Sequence, residues 1–414
     1  HRRGDFIRTG GYTAIEYKPL PRDETGAVNL HRPFVDEFTI VCPKCRSVMR
    51  RVPEVVDVWF DSGAMPFGQH HHPFEHRRDL PFPADYICEA IDQTRGWFYT
   101  LLAVSTLLGR GPSYKNVISL GHVLDQNGQK MSKSKGNMVE PFPMIEKYGA
   151  DTIRWYFYTI NAPGDPKRFD EKDLLLKLRG TVSTLWNSFV FFDTYVDKAK
   201  SQKPRLRKSF SGQPKIKSAH VLDRWILAKL DTLTSGVTER LGGYDVVGAA
   251  RLLDEFIGDD FSNWYLRRSR RRFQKPSSAP DKAAAAAVTG FTLLRLSELM
   301  APFTPFLAEI IYQELKPKLG TSEESVHLRE WPKRSLASEF KFHAMQEARR
   351  LAAAGLAARA KAGIKVRQPL AELRVKSDIL TPQDAELCAV IADEVNVKRV
   401  LIDSKLSAGV LLDT

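Results

Sequence analysis

Residues 85–120 read DYICEAIDQTRGWFYTLLAVSTLLGRGPSYKNVISL, and this stretch decides the fold. Asp85 to Glu89 has the short aromatic and β-branched pattern of a strand, Asp92 to Leu108 the length and periodicity of a helix, and Asn116 to Leu120 the pattern of a second strand. Strand, helix and strand in that order make a βαβ unit, whose two strands lie parallel. In open parallel sheets ligands bind beyond the carboxyl ends of the strands. Two segments are thereby placed at a site: Glu89 to Gln93, and the loop that begins at Gly121.

Outward from this unit the chain changes character twice. Residues 1–56 are rich in Pro, Gly and Arg with short apolar patches, as in a connector between larger bodies, and the βαβ unit belongs to a segment 57–171. From 172 helices take over. Leu222, Trp225, Ile226 and Leu230 share a helical face, as do Leu253, Phe256, Ile257, Phe261, Trp264 and Tyr265. Leu293 to Met300 repeats the pattern before Pro302 and Pro305 break it, so a bundle is expected over 172–335, with an exposed connection at 201–218. In 336–414, Glu347 to Lys361 reads as a helix, and Leu373, Val375 and Val397 to Ile402 as strands of a small α/β element. The expected class is α/β plus all-α.

Sixty-two Lys and Arg against 49 Asp and Glu leave a formal charge of +13, which favours a polyanionic partner such as nucleic acid. A merely basic enzyme would show the same charge. The composition, 43% hydrophobic and 27% charged, is that of a soluble globular protein. No apolar run is expected to reach the roughly 18 residues of a membrane span, so no membrane partner is expected. Four cysteines, Cys42, Cys45, Cys88 and Cys388, exclude a secreted disulfide scaffold and suit a reducing compartment, with the cytoplasm as the expected location. The opening residues His1 to Phe6 include neither an initiating Met nor an apolar leader, so the chain reads as part of a longer one.

Lys130-Met131-Ser132-Lys133-Ser134, followed by Lys135-Gly136-Asn137, forms a polar loop after a strand. Two lysines three apart, with small hydroxyl residues and a glycine, can wrap a triphosphate and neutralise charge on departing pyrophosphate. A solvated basic turn has the same spacing. Gly121-His122 and the Asp125 to Gly128 turn precede the lysines. With these flanks the five residues resemble the K-M-S-K-S signature of class I aminoacyl-tRNA synthetases. The resemblance implies the second half of a Rossmann-type catalytic fold, then a helical anticodon-binding domain and a small junction element. It implies ATP with Mg2+, attack of an amino-acid carboxylate on the α-phosphate, and transfer of the aminoacyl group to the tRNA terminal ribose. Such chemistry is positioning plus electrostatics and needs no protein nucleophile. Lys130 and Lys133 would hold the phosphates, assisted by Met131, Ser132 and Ser134, while Gly121, His122 and Val123 would line the adenine.

Glu89-Ala90-Ile91-Asp92-Gln93-Thr94-Arg95-Gly96-Trp97-Phe98 runs from a strand end into a helix. By position alone Trp97 is as readily plain core. Its string D-Q-x-R-G-W-F is similar to the isoleucine branch of that class, and Asp57-Val58-Trp59-Phe60-Asp61-Ser62-Gly63 leans the same way. The resemblance assigns Glu89 to the adenylate ribose, Asp92 and Gln93 to the polar groups of isoleucine, and Trp59 and Trp97 to the walls of its side-chain slot. An apolar slot discriminates by shape, and a methylene is worth only about 1–3 kcal/mol, a limit for which isoleucine against valine is itself the standard illustration. Editing, in a domain expected before residue 1, would supply the rest.

Cys42-Pro43-Lys44-Cys45 has the spacing of half a four-thiolate zinc site, and the resemblance adds Zn2+ in a longer protein through an upstream pair. Arg267 to Arg272 form a dense basic cluster in which Arg267, Arg270 and Arg271 share a face, as expected either of phosphate contact or of a solvated helix end. His70, His71, His72 and His76 read as a solvated surface. Asp223 to Leu227 and Ala301 to Phe306 resemble the anticodon-binding domain of the isoleucine and valine branch, which implies tRNA(Ile) as partner and a monomer. Gly363 to Leu370 resembles the isoleucine branch as well. The H-I-G-H signature of the class occurs nowhere in the chain, so the chain by itself is expected to neither activate isoleucine nor edit. Two rivals stay open: a valine-type enzyme of the class, and a tRNA-binding paralogue without catalysis.

Overall fold

A computed structural model of the chain describes residues 22, 26–27, 31–37, 39–42, 44–54, 57–75, 78–196, 218–334, 340, 342–406 and 409–413. The chain forms two compact units, His1–Leu120 and Gly121–Thr414. The division falls inside the 57–171 segment, between the second strand of the βαβ unit and the lysine loop.

In the first unit β1 (Thr39–Val41) and β2 (Val48–Arg50) pair antiparallel as a hairpin closed over Val41 and Val48. Two short helices follow, α1 (Val58–Gly63) and α2 (Met65–Gly68), and the Asp57 carboxylate caps α1 by accepting from the Trp59 amide at 3.0 Å. The βαβ unit consists of β3 (Ile87–Ala90), α3 (Trp97–Leu107) and β4 (Val117–Leu120), with Glu89 opposite Ser119 in a parallel register. Ile87, Phe98 and Leu101 form its core.

Two expectations are corrected here. The first strand begins at Ile87 rather than Asp85, because Asp85 pairs with Lys115 at 2.7 Å and its carbonyl accepts from the Asn116 side chain at 2.9 Å. The helix expected over 92–108 is broken at Gly96 (φ −137°, ψ −110°), with Ile91–Arg95 wound as a tight 3-10 turn before α3. Packing causes the break. A Cβ on Gly96 would lie 2.8 Å from Gln93 Oε1 and 3.0 Å from the Trp59 ring.

The second unit opens with β5 (Val123–Leu124), the lysine loop, α4 (Pro141–Tyr148) and α5 (Ala150–Thr159), and β6 (Lys167–Arg168) pairs parallel with β5. Helices follow: α6 (Glu171–Lys177), α7 (Ser183–Val196), α8 (Val221–Gly242), α9 (Val246–Glu255), α10 (Arg267–Gln274), α11 (Ala279–Met300) and α12 (Pro305–Leu319). The expected faces are buried, including Leu222, Trp225, Ile226, Leu253, Phe261 and Tyr265. Phe256–Leu266 is π-wound, so α9 and α10 are joined by a wider turn rather than a regular helix. The connection expected at 201–218 lies outside the described residues up to 217. Ser218 is half-buried rather than exposed, because its hydroxyl donates to Asp223 at 2.7 Å.

Against expectation, α11 has the length and apolar composition of a membrane span, but 83% of its apolar window is buried within the protein, which makes it the central helix of the bundle. The chain ends with α13 (Phe342–Lys361), β7 (Leu370–Val375), α14 (Ala385–Val395), β8 (Val397–Ile402) and β9 (Val410–Asp413). β7 is central, parallel to β8 and antiparallel to β9, a strand that local pattern did not announce.

Candidate active site and nucleic-acid interface

In the first unit the end of β3 presents Glu89 and Asp92 to solvent. Among the described residues Glu89 has no partner. Gln93 Nε2 donates to Asp92 Oδ2 at 3.1 Å, and Gln93 Oε1 accepts the Trp97 amide at 2.9 Å, so this amide caps α3 while orienting the carboxylate. Trp97 Nε1 donates to the Ser62 carbonyl at 3.2 Å and thereby ties α3 to α1. α1 is held close by Gly63, where a Cβ would lie 2.6 Å from the Thr100 carbonyl oxygen. The structure thus brings the Trp59 ring against Gly96, the residue before Trp97, although Trp59 lies 37 positions away in sequence. Trp59 remains 43% exposed.

In the second unit Gly121, His122 and Val123 form one backbone ledge. The Gly121 amide donates to Pro163 O at 2.8 Å, and His122 O accepts from the Lys167 amide at 2.8 Å. A Cβ at Gly121 would sit 2.2 Å from Asp165 O, so only glycine permits this approach. Lys167 sustains it from below, its buried ammonium donating to Asn161 Oδ1 at 2.7 Å and Ala162 O at 2.9 Å.

The lysine loop hangs from two side chains to which no role was assigned from sequence. Asp125 accepts the amides of Asn127 at 2.9 Å and Gln129 at 2.8 Å. Asn137 accepts the Ser132 amide at 3.0 Å and donates to Asp125 Oδ2 at 2.9 Å and Lys130 O at 3.3 Å. The Gln129 amide and the Asn137 side chain are the chief causes that hold the Asp125 carboxyl below its usual value. Met131 packs against the cluster of Tyr156, Phe169 and Leu174, which makes it the loop's apolar anchor. The Ser132 and Ser134 hydroxyls are 3.2 Å apart, and the Lys130 ammonium has no partner among the described residues, the residue being exposed. Lys133 opens the 3-10 turn Lys133–Lys135, and its side chain lies outside the described residues.

The arginine cluster divides by function. Arg272 is buried in an ion pair with Asp223 (2.6 and 2.9 Å) that also holds Tyr265 and Asp281. Arg268 lies over the Trp264 ring and, with Arg267, binds Glu394 of α14 at 2.5 and 2.8 Å. Arg267 is therefore engaged in holding α10 to α14. Arg270 stands 5.8 Å from the Phe191 ring, and Arg271 is exposed beside a cleft of about 520 Å³ shared with His220, Lys275 and Asp393. Arg271 and Lys275, one turn apart, have no carboxylate partner among the described residues, and sequence reading had passed over Lys275.

Cys42 and Cys45 flank the β1–β2 turn, where the Cys42 amide donates to Ser47 O at 2.9 Å. Cys45 Sγ lies 2.9 Å from the Ser47 hydroxyl. No third ligand joins the two cysteines among the described residues. His70 to His72 lie in a surface turn, His72 facing Arg110 at 3.0 Å, and His76 lies outside the described residues.

Residues 16–167 match the family described as tRNA synthetases class I (I, L, M and V), and residues 223–376 match the anticodon-binding domain of tRNA ligase. The chain belongs to the class I tRNA synthetases. Within that class it is 44% identical over 406 residues to an isoleucine–tRNA ligase of Dehalococcoides mccartyi, 44% over 385 to one of Clostridium acetobutylicum and 42% over 392 to one of Thermus thermophilus. These alignments take in 95%, 92% and 93% of this chain and 39%, 36% and 36% of the relatives, so the chain spans about two-fifths of their length. A LeuRS of Agrobacterium radiobacter, solved in a ternary complex with tRNA and LeuAMS, shares the fold at a TM-score of 0.52 and 19% identity, over 72% of this chain and 35% of that one. The α/β plus helical class read from sequence agrees with that likeness.

Proposed function

We propose that this chain supplies the lysine-loop half of the catalytic site and the anticodon-binding region of an isoleucine–tRNA ligase. The observation that carries the reading is the seating of the Trp59 ring on Gly96, with Trp97 Nε1 tying α3 to α1, beside an ordered Asp92-Gln93 pair. Two indoles beside a polar dyad suit an aliphatic amino acid, its ammonium meeting Asp92 and its side chain the ring faces. Glu89 would bind the ribose and the Gly121–Val123 ledge the adenine. The substrate carboxylate attacks the α-phosphorus of ATP and pyrophosphate leaves, its charge met by Lys130 and Lys133. The 3′-terminal ribose hydroxyl of tRNA(Ile) then attacks the adenylate carbonyl and releases AMP. Mg2+ entering with ATP would neutralise phosphate charge. Zn2+ would require a second thiolate pair joining Cys42 and Cys45.

On the nucleic-acid side the exposed Arg270 and Arg271 would contact tRNA phosphate, with Arg267 acting chiefly through α14. Cytoplasmic residence and a monomeric state belong to the same reading, as do the segment roles 1–56, 57–171, 172–335 and 336–414. The class's H-I-G-H string occurs nowhere in the 414 residues, so this chain alone is inactive under the proposal. The test is ATP–pyrophosphate exchange by a protein that joins this chain to an H-I-G-H-bearing half. Exchange should depend on isoleucine. Equal dependence on valine would favour the valine-type rival, and tRNA binding without exchange would favour the paralogue.

A further inference from the structure

We infer that the loop 363–368 is a contact for a nucleic-acid backbone, carrying Lys365 and Arg367 to phosphates beside those reached from α10. This rests on the tRNA-binding reading above and adds a site to it. The loop reverses direction at Gly363 (φ +71°), and its backbone is held from beneath. Arg359, 0% exposed, donates to Lys365 O at 3.2 Å, Gln368 O at 2.9 Å and Asn396 O at 2.7 Å. The Asn396 amide donates to Val366 O at 2.7 Å. With these carbonyls committed inward, Lys365 and Arg367 are exposed, and neither has a carboxylate partner among the described residues.

The support is itself unusual. Arg359 has no carboxylate within ion-pairing distance among the described residues, and its Nε lacks any partner. Burial draws its pKa down, with no neighbouring acid opposing the shift. An unpaired buried cation is costly, more so than a neutral amide at the same carbonyls. Its field also emerges weakly screened at the loop above it. An anion seated on that loop supplies the missing counter-charge.

The loop's position argues for a polynucleotide rather than a small anion. Asn396 caps α14 two residues beyond Glu394, which binds Arg267 of α10. The loop and Arg267 of α10 are thus both tied to the last turn of α14, and on α10 Arg267, Arg271 and Lys275 follow one another at single-turn spacing. Lys361 and Lys398 flank it and are exposed, while the nearby Glu372 is already taken by Arg374 and Arg399. The match to the anticodon-binding domain, 223–376, includes the loop.

The test is a salt titration of tRNA(Ile) transcript binding to this chain, unaltered and with Lys365→Gln and Arg367→Gln together. Both positions are exposed, and circular dichroism melting should be unchanged. The double variant should bind about tenfold more weakly at moderate salt, and the slope of log K against log salt should become shallower by about 1.4–1.8, as for two lost phosphate contacts. An unchanged affinity and slope would overturn the loop contact while leaving the tRNA reading intact. Absence of tRNA binding by the unaltered chain would defeat the tRNA reading and the loop contact with it.

Discussion

Asn137 donates to Asp125 Oδ2 at 2.9 Å across 12 positions of sequence, and this bond closes the lysine loop into a ring anchored at both ends. The same amide holds Ser132 and Lys130 through their backbone, so one side chain sets the loop's shape. Replacing Asn137 by Ala removes these bonds while leaving both lysines in place. Each such bond is worth about 0.5–1.5 kcal/mol net, so exchange of the Ser132 amide hydrogen should quicken by about tenfold or more. Exchange at an unchanged rate would show that the loop is held by something else.

Gly96→Ala tests the seating of the Trp59 ring on Gly96. The added methyl meets both Gln93 Oε1 and the Trp59 ring, so the ring must move or Gln93 must release the α3 amide. Overpacking of this kind costs about 1–3 kcal/mol. Tryptophan emission should shift, and in an active protein KM for the amino acid should rise more than KM for ATP.

Arg272→Met strands the buried Asp223 carboxylate, which would keep only Tyr265 and Ser218 as partners. Breaking a buried pair from one side costs about 3–5 kcal/mol, which a fall in the urea midpoint would report. Adding Asp223→Leu should recover part of the loss, because the fully buried unpaired charge is then gone and Asp281, partly exposed, keeps Ser277.

His220 caps α8 by accepting the Leu222 amide at Nδ1, at 3.2 Å, which requires an unprotonated nitrogen. Burial, then the Arg272 charge, pulls its pKa below 6.5. The unfolded chain therefore takes up a proton at a pH where the folded one does not. The stabilisation is complete above pH 6.5 and declines as pH falls through 6.5 toward the folded value, below which the slope vanishes. His220→Asn keeps a capping group and should remove that acid-side decline from unfolding measured against pH.

Much of the architecture was legible because it is local. The short aromatic and β-branched runs at 85–89 and 116–120 mark the parallel strands, and the spacing of Leu222, Trp225, Ile226 and Leu230 marks α8. The lysine loop could be placed after a strand for the same reason. The resemblance added roles to these residues that periodicity alone does not carry.

The sequence by itself determined the βαβ unit, the helical faces and the position of the lysine loop, since each is written in residues a few positions apart. Tertiary structure alone decided that α3 starts at Trp97, because Trp59 packs on Gly96 from 37 positions away. It likewise divided the arginine run. Arg267 and Arg268 meet Glu394, and Arg272 meets Asp223, leaving Arg271 to solvent. Charge density can be read from neighbours in the chain, but whether a charge is free depends on partners 49 to 127 positions distant, which only folding brings within a hydrogen bond.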